Sequence, residues 1–252
     1  MDLAAYQQHL HALQQAAWPE GAPRTPQYPL GQQPLTEYLR AWAQSQASAV
    51  ALDFYGYQLS FAELDRLSDR CAALLGELGI GPGDRVAVYL PNCPQLHIGF
   101  WGILKCGAVY APVSPLARTL ELEYQLKDSG ARVILCFGQL LDVVQAVSDA
   151  CELSAILATS LSELCPATPS IPLPDLLRTP KRLAPGVTDF FPALEACRAA
   201  TPAHRPALGD MAALNYTGGT TGMPKGCIHS HGDMLYTCAS FVPVALGLRQ
   251  DS

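Results

Sequence analysis

Arg85-Val-Ala-Val-Tyr-Leu90 begins a series of short apolar runs on which the predicted architecture depends. Similar runs follow as Ala108-Val-Tyr-Ala-Pro-Val113, Arg132-Val-Ile-Leu-Cys-Phe137 and Ser154-Ala-Ile-Leu-Ala158. Each run has the length of a strand, and a content rich in Val, Ile and Leu is typical of strands that are buried on both faces. A segment with helical periodicity separates each run from the next. This alternation predicts an α/β fold with a mostly parallel sheet flanked by helices.

The helical segments carry their own start and stop signals. Ser60 and Glu63 have the spacing of a capping box, and Leu59 and Leu64 are placed for a hydrophobic staple. Gly79 is expected to end this helix. The glycines at 79, 81 and 83 therefore end a helix and introduce a strand, which is the reverse of a dinucleotide-binding fingerprint. Further helices are predicted over 91–105, 119–129 and 140–150.

The flanking segments are less regular. The spacing of apolar residues over 1–17 predicts an amphipathic helix that docks on the body, and a second helix is expected over 36–47, followed by a hairpin over 50–59. Prolines recur densely between Cys165 and Pro206, where one short helix is expected over 191–200. A strand over 211–216 and a helix over 233–246 follow.

We therefore divide the chain into four parts. Residues 1–59 wrap the body, 60–165 form a first α/β subdomain, 166–206 are a proline-rich excursion, and 207–252 begin a second α/β subdomain.

Composition excludes several classes of protein. The chain has 252 residues, of which 49% are apolar and 15% charged, and a formal charge of −6, so it can bury a large core and has no basic patch for nucleic acid. It lacks a signal peptide and an apolar run of spanning length, which leads us to expect a cytoplasmic protein without an integral membrane segment. The nine cysteines include no C-x-x-C pair and are expected to be buried thiols.

Thr217-Gly-Gly-Thr-Thr-Gly-Met-Pro-Lys-Gly226 is the densest grouping of glycine, hydroxyl and cation in the chain. Glycines allow successive N–H groups to converge on an anion, and the threonine hydroxyls and Lys225 can add donors, so the stretch is interpreted as a phosphate-binding loop. A Walker-type P-loop needs glycine before the lysine and a hydroxyl after it, whereas this chain has Pro224 and Gly226. Proline also predicts an extended approach to Lys225 instead of a helix N-terminus.

This motif, preceded by Tyr216 and followed by His229-Ser-His231, resembles the phosphate-binding signature of the adenylate-forming ligases. That family includes acyl-CoA synthetases, adenylation domains of peptide synthetases and luciferases. The match holds at every position, with Gly218 where many members have serine. Residues 58–64 and 104–115 resemble two earlier core motifs of the family. The resemblance, strengthened by Pro91-Asn-Cys-Pro-Gln95, is closest to fatty-acyl-CoA synthetases and implies the N-terminal part of their large domain.

The resemblance implies a reaction in which ATP, accompanied by magnesium, activates a small carboxylic acid, most simply a fatty acid, to an acyl-adenylate. Coenzyme A then accepts the acyl group. Lys225 would be catalytic, and the phosphates would be bound by Thr217, Gly218, Gly219, Thr220, Thr221, Gly222 and Lys225. The family's downstream adenine, ribose and acyl-pocket segments and its C-terminal lysine are not in this chain. The resemblance therefore implies a truncated N-terminal portion that binds ATP weakly without turnover.

Alternatives remain open at this point. The chain could be a non-catalytic nucleotide-binding module, an amino-acid or aryl-acid adenylation domain, or a phosphotransferase. His229, His231 and Asp233 could share one face of a strand as metal ligands, but packing or hydrogen bonding explains that spacing more simply, so no metal site is predicted. The sequence has no G-x-S-x-G elbow for a hydrolase and no H-E-x-x-H for a zinc protease.

Overall fold

A computed structural model describes residues 2–18, 23–218 and 223–245, with side chains to residue 241. The strands are β1 Val50–Phe54, β2 Tyr57–Ser60, β3 Arg85–Tyr89, β4 Val109–Pro112, β5 Val133–Phe137, β6 Ala155–Thr159, β7 Thr188–Asp189, β8 Met211–Thr217 and β9 Lys225–Ser230. The α-helices are α1 Leu3–Ala17, α2 Leu35–Ser45, α3 Phe61–Glu77, α4 Pro94–Lys105, α5 Thr119–Ser129, α6 Leu141–Gln145, α7 Phe190–Ala196 and α8 His231–Ala245.

Seven strands form one sheet in the order β7-β6-β5-β3-β4-β8-β9, and β1 pairs with β2 in a separate antiparallel hairpin. Every pairing in the large sheet is parallel except the last, in which β9 runs antiparallel to β8. The predicted α/β class, with a mostly parallel sheet flanked by helices, is confirmed.

Alternate residues of the central strands enter two separate cores, as the period of a strand requires. Val86, Val88 and Leu135 point to the core that α3, α4 and α7 cover. Ala87 and Ile134 point to the opposite core, which is covered by α5 and α6. Both faces of the strands are therefore buried, and only the ends of the strands are open.

Local signals in the sequence fix the ends of α3. The Ser60 side chain accepts the Glu63 N–H, while the Glu63 carboxylate accepts the Ser60 N–H at 2.9 Å, so the predicted capping box is confirmed. At the other end Gly79 has φ +76°. The Gly79 and Ile80 amides bond back to Gly76 and Leu75, which is the double hydrogen bond of a Schellman motif.

Three flanking segments differ from the expectations. Every residue of α1 from Leu3 to Ala17 is exposed, so the helix forms as predicted but does not dock on the body. The helix expected over 140–150 is short, since α6 ends at Gln145 and turns follow. The proline-rich excursion returns to the sheet, because its residues 188–189 form the edge strand β7.

The proposed division into four parts stays a prediction. The structure records that β8 is hydrogen-bonded to β4 in the one large sheet. Lys181, in the proline-rich excursion, forms ion pairs with Glu163, which follows β6, and with Asp189 of the edge strand β7.

Lys105, at the end of α4, is a fully buried cation. Its ammonium lies 2.6 Å from the Asp65 carboxylate, 2.8 Å from the Asp69 carboxylate and 2.8 Å from the Asp65 carbonyl, all on α3. Arg40 of α2 lies 3.5 Å from Asp69 and extends the network. These ion pairs join three helices where the apolar core ends.

His231 is the first residue of α8 and is 1% exposed. Its Nδ1 has no hydrogen-bond partner among the residues that the structure describes, and burial lowers the pKa of the imidazole. Asp210 opposes this shift, while His204 adds to it. The folded protein therefore favours the neutral imidazole.

We expect Lys105→Met to lower the free energy of unfolding by about 3 kcal/mol, because it removes the cation that Asp65 and Asp69 share and leaves the more distant Arg40 beside Asp69. Urea denaturation at neutral pH measures this change. Lys127→Met is the matched control, since Lys127 pairs with Glu123 but is half exposed. Its expected cost is much smaller than that of Lys105→Met, because water screens the exposed ion pair. An equal effect of the two substitutions would contradict the buried role of Lys105.

We expect the free energy of unfolding to fall between pH 7.5 and 5.5. In the unfolded chain a histidine takes up a proton near pH 6.5. The pKa of folded His231 is lowered, so the folded state takes up this proton only at a lower pH. The unfolded state therefore binds more protons in this window. His231→Gln should make this decline shallower, because the substitution removes the group whose lowered pKa contributes to it. Burial lowers the pKa of His97 as well, so part of the decline should persist.

The control for this measurement is His9→Gln, because His9 lies on the exposed helix α1. It should leave the pH dependence of the denaturation midpoint unchanged. Identical slopes for His231→Gln and the unsubstituted chain would show that His231 is not the titrating group.

Candidate functional site

The predicted phosphate-binding loop connects β8 to β9. β8 is parallel to β4, so the loop leaves the sheet at the carboxyl end of the parallel strands, the edge at which α/β sheets bind ligands. Thr217 and Lys225 stand opposite each other as the last paired residues of the hairpin. The Thr217 hydroxyl donates to the Lys225 carbonyl at 3.4 Å.

The structure places three of the seven predicted site residues. Thr217, Gly218 and Lys225 are all exposed at the open end of the hairpin. The other four lie outside the described residues: Gly219, Thr220, Thr221 and Gly222. The observed strand β9 beginning at Lys225 agrees with the expected extended approach to that lysine.

The two described glycines of the motif differ in what surrounds them. A Cβ added to Gly218 would meet no described atom within 4 Å, so packing does not require glycine there. A Cβ at Gly226 would lie 3.0 Å from Leu214 Cδ1 and 3.4 Å from the Tyr216 ring. A side chain at position 226 would therefore require the Leu214 side chain to shift by a few tenths of an ångström.

Lys225 differs from the other lysines in its electrostatic surroundings. The chain has four lysines, and Lys105, Lys127 and Lys181 each form an ion pair with at least one carboxylate. Within the part of the chain that the structure describes, the Lys225 ammonium has no ion pair and no hydrogen bond. Its charge is thus available to an anion at the loop.

Two tyrosines connect the ends of the loop to α5. Tyr124 of α5 donates its hydroxyl to the Pro224 carbonyl at 2.9 Å, and Tyr216 of β8 donates to the Asp128 carboxylate at 2.6 Å. The two rings meet edge to face with centroids 6.4 Å apart. Burial, followed by the bond to Asp128, raises the pKa of Tyr216, so its hydroxyl stays protonated.

Nothing in the sequence indicates that Tyr124 and Asp128 are neighbours of the loop. They lie about 100 residues before it along the chain, in a helix whose spacing shows only an amphipathic pattern. Only the pairing of β4 with β8 brings α5 beside the loop. A pattern within the motif could not have indicated this contact.

The residues at the junction of β9 and α8 form the N-terminal cap of α8. The Ser230 hydroxyl accepts the Asp233 N–H, and the Asp233 carboxylate accepts the Ser230 N–H at 2.8 Å, which is the reciprocal arrangement of a capping box. Gly232 bonds through its N–H to Leu208. Among the described residues no group of three or more His, Cys, Asp or Glu side chains is placed to hold a metal ion.

All nine cysteines are free thiols, and five of them are buried. Burial raises the pKa of Cys93 and Cys106 to about 11, so these thiols are not poised as nucleophiles. No helix in the described ranges is long and apolar enough to cross a membrane.

Two curated relatives show the same resemblance at the level of sequence. A long-chain-fatty-acid–CoA ligase of Bacillus subtilis (strain 168) is 31% identical over 231 residues, covering 87% of this chain and 40% of that ligase. The ligase of the same name from Salmonella typhimurium is 31% identical over 210 residues, covering 81% of this chain and 37% of its own length. The chain thus spans about two fifths of the length of the curated relatives it matches.

Among solved structures, the anthranilate CoA ligase AuaEII in complex with anthranoyl-AMP superposes with a TM-score of 0.71 at 23% identity, covering 86% of this chain and 38% of that one. At this identity the likeness shows the fold alone. The profile of the AMP-binding enzyme family matches residues 39–252, which include the sheet, α5 and the loop between β8 and β9. The chain therefore belongs to the AMP-binding enzyme family.

Proposed function

We propose that this chain supplies the phosphate-binding loop of an acid–CoA ligase. The observation that carries the proposal is the position of Lys225 at the end of the loop on the carboxyl edge of the sheet, where its ammonium has no ion-pair partner among the described residues. The names of the relatives favour a fatty acid as the substrate class. Because the chain spans two fifths of those relatives, the complete activity is proposed for the product of the whole gene.

In the first proposed step a carboxylate oxygen of the acid attacks the α-phosphorus of ATP. The bond from that phosphorus to the oxygen bridging the α- and β-phosphates breaks, and pyrophosphate leaves with the bonding electrons. Negative charge therefore grows on the leaving group. The Lys225 ammonium, the Thr217 hydroxyl and the loop residues Gly218, Gly219, Thr220, Thr221 and Gly222 are proposed to stabilise it.

In the second proposed step the thiol sulfur of coenzyme A attacks the acyl carbon. The bond from that carbon to the AMP oxygen breaks, AMP leaves, and the thiol proton passes to solvent. The substrate supplies the first nucleophile and coenzyme A the second. This division needs no enzyme nucleophile, which is consistent with the raised pKa of the buried thiols Cys93 and Cys106.

Magnesium is proposed only as the ion that accompanies the phosphates of ATP. The described residues offer no cluster of carboxylates for it at the loop. The donors present at the loop are hydroxyl, amide and ammonium groups, which suit phosphate oxygens better than a cation.

We expect the chain to bind ATP, and Lys225→Met to weaken this binding about 10- to 100-fold, because a charged hydrogen bond to phosphate is lost. Isothermal titration calorimetry with ATP, and separately with pyrophosphate, measures the effect. Lys127→Met is the control, since it removes a cation on α5 that pairs with Glu123. Equal affinities for the Lys225→Met variant and the unsubstituted chain would refute the phosphate role.

An isotope experiment on the product of the whole gene identifies the reaction. With a carboxylate labelled by ¹⁸O, ATP and coenzyme A, we expect one labelled oxygen in the AMP, because the carboxylate oxygen stays on phosphorus when the thioester forms. Mass spectrometry of the nucleotides gives the result for octanoate, palmitate, benzoate and leucine. Release of ADP would instead indicate a phosphotransferase, and label transfer from only benzoate or leucine would indicate an aryl-acid or amino-acid adenylating enzyme.

A further inference from the structure

We propose that Tyr124 is a positioning residue, which holds the base of the phosphate-binding loop so that Lys225 faces the bound anion. The inference rests on the proposed function and assigns a role in it to a side chain outside the sequence motif. Tyr124 does not touch the nucleotide in this proposal. It acts through the peptide group between Pro224 and Lys225.

The geometry places Tyr124 at the point where the loop re-enters the sheet. Its hydroxyl donates to the Pro224 carbonyl at 2.9 Å. That carbonyl belongs to the peptide bond whose nitrogen is the Lys225 amide. A hydrogen bond to this carbonyl restricts rotation of the planar peptide group, and this group positions the Lys225 Cα from which the side chain extends.

The opposite side of the loop is tied to the same helix. Tyr216 precedes Thr217 and donates to Asp128, which lies four residues after Tyr124 and therefore on the same face of α5. Both ends of the hairpin opening are thus hydrogen-bonded to one rigid helix. The two bonds run in opposite directions, from α5 to Pro224 just before β9 and from β8 to α5.

The rest of α5 is packed against the core and hydrogen-bonded to the sheet, so the helix can hold Tyr124 in place relative to the sheet. Leu122 and Leu126 are buried in the second core, and Gly130 ends the helix with φ +66°. Arg85 of β3 donates through Nε to the Ser129 carbonyl at 2.5 Å, which ties the end of α5 to the sheet. These contacts fix the position of α5 relative to the central strands.

The loop has few other fixed contacts in the described residues. The Thr217 hydroxyl reaches the Lys225 carbonyl at only 3.4 Å, near the limit of a hydrogen bond, and Gly218 has no described atom within 4 Å of a Cβ position. The strand pairing of Thr217 with Lys225 fixes the hairpin in the plane of the sheet. The contact from Tyr124 adds a constraint from outside that plane.

Tyr124→Phe is the variant that tests the proposal, because it keeps the ring contact with Tyr216 and removes only the hydroxyl. Tyr38→Phe is the matched control, since Tyr38 donates to the Gly31 carbonyl at 2.7 Å, far from the loop along the chain. We expect Tyr124→Phe to weaken ATP binding about 3- to 10-fold, the loss of one hydrogen bond. The denaturation midpoints of the two variants should be similar.

A double-mutant cycle separates positioning from general support of the fold. If Tyr124 acts through Lys225, the Lys225→Met substitution should reduce ATP affinity less in the Tyr124→Phe background than in the unsubstituted chain. In the Tyr38→Phe background it should have its full effect. Independent, multiplicative effects of Tyr124→Phe and Lys225→Met would overturn the proposal.

Hydrogen exchange at the amides of Lys225 and Gly226, followed by NMR without nucleotide, tests the positioning separately from ATP binding. Faster exchange in Tyr124→Phe but not in Tyr38→Phe would support it. If the unsubstituted chain bound no ATP while this exchange rose, the proposed function would fail and the structural constraint would stand. ATP binding with unchanged exchange and unchanged affinity in Tyr124→Phe would overturn the role of Tyr124 alone.

Discussion

Burial of the parallel strands β3, β4, β5 and β6 on both faces determines where this chain can bind a ligand. Crossover helices occupy the two faces, and the side chains of successive strand residues fill one core or the other. The backbone groups between the strands are used in the ladder. Only the ends of the strands remain accessible, and the loop between β8 and β9 lies at the carboxyl end. The location of the loop thus follows from the sheet, whatever residues the loop contains.

Two lysines show how the same side chain serves opposite purposes in this fold. Lys105 is buried, and its charge is tolerated because Asp65 and Asp69 lie within 3 Å of it. Lys225 is exposed and has no carboxylate partner among the described residues. An ammonium already paired inside the protein would have to lose its partner before it could bind phosphate. The unpaired state of Lys225 therefore lowers the free-energy cost of anion binding, while the pairing of Lys105 stabilises the packing of α3 on α4.

The sequence predicted those features that are encoded locally. The four apolar runs became β3 to β6 with ends shifted by at most one residue, and the capping box of Ser60 and the glycine at 79 set the limits of α3. Features set by distant partners could not be predicted. The two residues of β7 form a strand only because β6 offers them an edge, and the apolar stripe of α1 gave no sign that the helix would stay exposed. Of the site, the motif was evident, but the hydrogen bond of Tyr124 to Pro224 spans 100 residues and has no local signature.

The antiparallel course of β9 explains why contacts from α5 matter for the loop. In a Walker-type P-loop a helix follows the loop directly, so its N-terminal amides and dipole bind the phosphates. Here α8 begins after β9, beside the start of β8, and the Ser230 and Asp233 side chains already cap its N-terminus. The dipole of α8 is therefore at the wrong end of the hairpin to act on an anion at the loop. Charge must instead come from Lys225, whose direction depends on the peptide group that the Tyr124 hydroxyl holds.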